Sequence, residues 1–249
     1  MLRNMKGFNM VEEKTSEDEM IIADFEVLSG EDSVGNWWNN IDGVPASIIQ
    51  IGAIKVSLAD KDLKITEKFN VLVKPRDFNN APVALTEHIQ KLTGIKQARM
   101  DEEGAELKEA TNSFRDFIKD SIVYNYSHTF DFTALTMSMV CQGLKDGLFD
   151  RKQFKDMRPV FIEGGVPPIL MPQNQKRDEV LPEGQRTVNS GRIANYLKAE
   201  DYLEPLEEQQ EHDGLSDTFS VLAGLRKLLA EDKITLEALK SKKPLTLDR

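Results

Sequence analysis

The chain of 249 residues carries 42 acidic against 32 basic side chains, a formal charge of -10, with 40% hydrophobic and 30% charged residues. This balance excludes disordered, collagen-like and fibrous classes and argues against a protein that coats long stretches of nucleic acid, while leaving room for local phosphate contacts neutralised by bound cations. The single cysteine, Cys141, has no partner for a disulfide or a thiolate metal site, and the sequence shows neither a bilayer-spanning apolar run nor the apolar centre of a secretory signal, so a soluble, cytoplasmic protein is expected.

Residues 1–18 are polar with no sustained period and read as a leader. Residues 19–230 read as one domain, and 231–249 as a tail with a lysine-rich, solvated end. MIIADFEV, from Met20 to Val27, is a short apolar run broken by two acids, as in a largely buried strand. Residues 28–44 hold both tryptophans among Gly, Asn and Asp and read as a long loop. Ala46 to Val56 and Lys64 to Val73 are rich in β-branched residues around the polar turn SLADKD, which predicts a hairpin.

Helices are predicted at about Pro82 to Leu92 and Glu102 to Ile118, the second from the spacing of Leu107, Phe114, Phe117 and Ile118. SIVYNY (121–126) reads as a buried strand, Phe130 to Gly143 as a helix, and FKDMRPVFI from Phe154 as a fifth strand. The Pro, Gly and charge content of residues 163–187 assigns them no element. Helices at about Gly191 to Leu197 and Leu215 to Leu229 close the domain. The order predicts an α/β fold with a mixed five-stranded central sheet flanked by helices.

Asp24 and Glu26 stand two apart on the first strand, so both carboxylates leave one face. On a buried strand they repel and resist desolvation, and one must protonate or a cation must sit between them; on an edge strand the same pair is merely a wet acidic face. Asp131, in the first turn of its helix, is either functional or an acid complementing the helix dipole. His212 and Asp217 form H-x-x-x-x-D in HDGLSD. Asp217 edges the apolar face of Val221, Leu225 and Leu228, with an ordinary capping acid as the alternative.

Taken in order, ADFEV, SIVYNYSHTFDFTAL and HDGLSD resemble the three motifs of the DEDDh, DnaQ-like family of 3'-5' exonucleases, which have a ribonuclease H-like fold. PASIIQIGAIKV, FNVLVKP and LTEHIQKLTGI look like the family's intervening segments. Two positions depart from the pattern: Val27 stands where Thr is common, and Tyr124 where a His before Asn125 is frequent.

The resemblance implies catalysis by Asp24, Glu26, Asp131, His212 and Asp217 at the 3' ends of single-stranded DNA or RNA, releasing nucleoside 5'-monophosphates. Four carboxylates and no thiolate suit hard divalent ions, so Mg2+ or Mn2+ is expected, and the resemblance implies two ions per site. Asp24 is implied to touch both ions, Glu26 and Asp217 one, Asp131 the other, and His212 to take a proton from the attacking water. Phe25, Val27, Leu28, Trp37, Trp38 and Asn125 are candidate substrate contacts; the tryptophans either stack on a base or pack their own loop. Lys74 with Arg76, Arg151 with Lys152, and Lys176 with Arg177 are candidate phosphate contacts or solvated surface. Two rival readings are an inactive binding or scaffold protein of the same fold and a ribonuclease H-type endonuclease.

Overall fold

The computed structural model describes residues 19–28, 47–168, 188–205 and 212–240. Trp37, Trp38, Lys176 and Arg177, with most of the two long segments predicted as loops and all of the predicted leader, lie outside them. Five strands, β1 (Glu19–Val27), β2 (Ile48–Ser57), β3 (Ile65–Leu72), β4 (Val123–Asn125) and β5 (Phe154–Asp156), form one sheet in the order β3-β2-β1-β4-β5. β1 pairs antiparallel with β2 and parallel with β4, so the sheet is mixed, as the order of elements predicts. β1 is central, which removes the wet edge-strand reading of Asp24 and Glu26.

The helices are α1 (Glu87–Thr93), α2 (Gln97–Glu103), α3 (Leu107–Ile118), α4 (His128–Cys141), α5 (Arg158–Glu163), α6 (Ile193–Leu197), α7 (Gly214–Ala230) and α8 (Leu236–Lys240). Strand alternation divides the core in two. Met20 and Ile22 face Phe161, Leu222 and Leu225 of the α5 and α7 layer. Ile21, Ala23 and Phe25 face Phe114 and Leu135 of α3 and α4, and Phe25 meets Phe114 edge-on with ring centroids 5.7 Å apart. By the same alternation, Asp24 and Glu26 continue the α7 face.

Several elements differ from their sequence reading. α1 starts at Glu87, where Thr86 accepts from the Ile89 N–H at 3.1 Å, because Val83 is held by Pro75 O and Arg76 bridges Pro82. α3 starts at Leu107 because Ala105 is drawn into the sheet, donating to Leu72 O and accepting from Lys74 N–H, both at 2.9 Å; the residues before it form α2. The predicted fifth strand ends at Asp156, and its β-branched remainder is α5, whose proline lies in the first turn, where a missing N–H costs nothing. Past residue 230 the chain stays on the domain: Ile234 and Leu239 join the core, and the Tyr124 hydroxyl donates to Leu239 O at 3.2 Å.

The start of α7 lies directly on the sheet. A Cβ on Gly52 would stand 2.2 Å from the Gly214 carbonyl carbon, and one on Gly214 2.9 Å from Asp24 O. Gly52→Ala is therefore expected to destabilise the protein by about 3 kcal/mol, the upper end of ordinary overpacking. Urea denaturation checks this, and wild-type stability would contradict the contact.

Candidate active site

The short β4 opens the sheet beside the acids. It pairs only with Ile21 and Ile22, leaving the β4-side edge of β1 unladdered from Ala23 onward. Side chains take over there: Asn125 donates from Nδ2 to Ala23 O at 2.8 Å, and the Phe25 N–H donates to the Asp131 carboxylate. The α4 N-terminus is thus carried to the end of β1, where Asp131 is only 2% exposed. Its Oδ2 is buried without a hydrogen-bond partner, as is Asn125 Oδ1. A solvated acid complementing a helix dipole is excluded, because an orphaned carboxylate oxygen in such surroundings requires a proton or a cation.

On the other side, α7 delivers Asp217, also 2% exposed. Its carboxylate accepts from the His212 backbone N–H at 3.3 Å and from the Ser190 hydroxyl at 2.9 Å. The helix cap is Asp213, which accepts from the Ser216 N–H at 3.0 Å, so Asp217 is not the cap. Gln50 braces that cap, donating to Asp213 Oδ2 at 2.8 Å and accepting from the Gly214 N–H at 2.9 Å. His212 has φ 62°, in the left-handed region uncommon for a β-carbon residue. Its ring nitrogen and the carboxylate oxygens of Glu26 and Asp217 can all lie within 4.8 Å of one another.

Asp24 and Asp131 border this trio electrostatically. Burial first lifts the Asp24 carboxyl to about 7; a Ser190 hydrogen bond opposes the lift and the Asp213 charge adds to it. Glu26 rises well above the ordinary range through burial, then through Asp24, Asp217, Asp213 and Asp131. Asp131 rises through burial and Asp24, against the pull of the Phe25 N–H. These carboxylates are desolvated without a neutralising side chain among the causes of their shifts, an arrangement suited to a cation.

The remaining expectations divide. Phe25 and Val27 point into the α3/α4 core, so their side chains do not line the acidic face; only backbone is available there, and the Phe25 N–H is already given to Asp131. Leu28 packs with Ile49, Leu72, Leu85 and Ile89. Arg76 is held by Glu106 at 2.6 Å. Cys141 is a free, half-buried cysteine. Sequence reasoning missed Gln50, Asp213 and Ser190. A glutamine inside the apolar run ASIIQIGAIKV and an Asp three before Ser216 were available signals; Ser190 offered none.

A model of the Exonuclease family matches residues 10–144, over half of the chain. No curated protein matches its sequence. The nuclease domain of 3'hExo, a DEDDh family member bound to rAMP, aligns with a TM-score of 0.58 at 15% identity, covering 86% of this chain and 92% of that one. E. coli Exonuclease I in complex with a dT13 oligonucleotide gives 0.52 at 13% identity over 85% of this chain and 41% of the other. The moderately thermophilic Exonuclease I from Methylocaldum szegediense gives 0.55 at 16% identity over 89% and 42%. Identities this low speak for the fold alone, and no helix among the described residues is long and apolar enough to cross a membrane. With its motifs, its mixed sheet and the family match over β1 to α4, the chain belongs to the Exonuclease family and has a ribonuclease H-like fold.

Proposed function

We propose that this nuclease is a 3'-5' exonuclease that hydrolyses the terminal phosphodiester bond of single-stranded DNA or RNA and releases nucleoside 5'-monophosphates. The observation that carries the reading is the juxtaposition of Glu26, His212 and Asp217 beside two further buried carboxylates, one with an oxygen lacking any partner. An all-carboxylate set with one imidazole fits hard divalent cations, so Mg2+ or Mn2+ would be held by Asp24, Glu26, Asp131 and Asp217. Two such ions would supply charge neutralisation at the attacking and leaving oxygens.

The chain's own groups do the rest. His212, presented by its left-handed backbone beside Glu26 and Asp217, takes the proton from the attacking water as general base. The Asp213 cap and its Gln50 brace hold the start of α7, and with it Asp217, against β1 and β2. Asn125, through Ala23 O, fixes the end of β1 that displays the acids. The solved relatives include one holding rAMP and one holding a DNA oligonucleotide, so both sugars enter the test.

That test uses 5'-labelled and 3'-labelled DNA and RNA oligomers with Mg2+ or Mn2+, and a circular single strand as control. Metal-dependent release of mononucleotides from the 3' end, with the circle intact, is the expected result. A cut circle would establish an endonuclease, and no cleavage by a folded protein that binds the oligomers would establish a binding module.

A further inference from the structure

We propose that Ser190 is a positioning residue of the ion centre, its hydroxyl holding the Asp217 carboxylate of α7 in place beside the acids of β1. The proposal rests on the reading of those acids as cation ligands. Ser190 is outside the motifs that carry the family resemblance and beyond the matched residues 10–144.

Its hydroxyl donates to Asp217 Oδ2 at 2.9 Å, and its side chain is near enough to Asp24 to oppose the upward shift of that carboxyl. A hydroxyl has one proton to donate, and here it goes to the acceptor-only carboxylate of Asp217, fixing which way that group faces.

Three independent features hold Ser190 in place. The Tyr126 hydroxyl, at the end of β4, donates to Val188 O at 3.3 Å. The Ala194 N–H donates to Ser220 Oγ on α7 at 3.1 Å. Gly191 lets the backbone press on the acid, since a Cβ there would stand 2.5 Å from Asp217 Oδ1.

An ordinary local role for the hydroxyl is already filled. The 3-10 turn Ser190–Arg192 is capped by Asn189, whose side chain accepts from the Arg192 N–H at 3.0 Å. The Ser190 hydroxyl is therefore directed at the acids rather than at its own turn.

Outer-shell partners of ligating carboxylates are commonly worth 10- to 100-fold in metal affinity. The experiment titrates Mn2+ into the metal-free full chain by calorimetry, for wild type, Ser190→Ala, Ser190→Thr and Asp24→Ala, and records each metal-free Tm. Ser190→Ala is expected to weaken Mn2+ binding about tenfold, and Ser190→Thr, which keeps the hydroxyl, to restore most of it. A Ser190→Ala variant that loses Tm but keeps wild-type affinity would overturn the proposal, because a merely structural serine behaves that way. If Ser190→Ala does not fold, Ser190→Cys is the second variant, and unchanged affinity there overturns the proposal equally. If wild type and Asp24→Ala bind Mn2+ alike, the ion-centre reading itself is what fails.

Discussion

Asp24→Asn is expected to lower metal-dependent hydrolysis by at least about 10^3-fold, the scale lost with several kcal/mol of transition-state stabilisation, while making the metal-free protein more stable at pH 8. The second half follows from the sign of the linkage. Burial raises the folded-state carboxyl to about 7, so the folded state holds this proton where the unfolded chain has released it. A raised acid contributes stability fully below the unfolded pKa, near 4 for an aspartate, and loses it as pH rises through about 7. Glu26 and Asp131 shift in the same direction.

Metal-free wild type should therefore lose Tm steadily between about pH 4 and 8, and Mn2+ should restore more of it at pH 8 than at pH 6, because the ion replaces the protons. In Asp24→Asn the pH slope is reduced, the metal-free protein gains on the order of 1–3 kcal/mol at pH 8, and the rescue by Mn2+ is largely lost. Thermal unfolding across pH with and without Mn2+ reads all three. A metal-free Tm that rises from pH 5 to pH 8 would show that the acids are not held by desolvation, and the cation argument would lose its basis.

What was legible in the sequence is what periodicity controls. Alternation alone placed Asp24 and Glu26 on one face, and the structure shows that face turned toward α7, continuing from Met20 and Ile22. The order of strands and helices gave the mixed sheet. Long-range packing decided the rest. Nothing local says that β4 reaches only Ile21 and Ile22, yet this shortness hands the Phe25 N–H to Asp131 and leaves the acids of β1 beyond the ladder. The β-branched run after Asp156 favours a strand by propensity, and a helix forms because its proline sits where a first turn tolerates it. Phe25 and Val27 were proposed as substrate contacts through their place in the motif, but the same alternation that unites the acids buries those two side chains opposite. The third motif illustrates the converse. H-x-x-x-x-D is weak as text, and the family match ends before it; its meaning comes from Gly52 and Gly214, whose missing side chains let the start of α7 rest on β1 and β2.

His212 is where geometry leaves two chemical roles in competition, and one variant separates them. Its ring nitrogen is close enough to the Glu26 and Asp217 oxygens to share an ion with them, yet hard divalent ions favour oxygen donors. An imidazole ordinarily titrates at about 6.5 and is well matched to proton transfer near neutral pH. As general base, its removal costs about 10^2- to 10^4-fold in kcat and leaves Mn2+ affinity near that of wild type.

The backbone complicates a single substitution. At φ 62° alanine is strained as histidine is, whereas glycine is not. His212→Gly therefore isolates loss of the ring from loss of the turn, and the N–H given to Asp217 survives in both variants. Equal loss of kcat in the two, with Mn2+ affinity retained, assigns the ring to proton transfer. A tenfold or greater fall in affinity, with the rate recovered at high Mn2+, would make His212 a ligand and require another base.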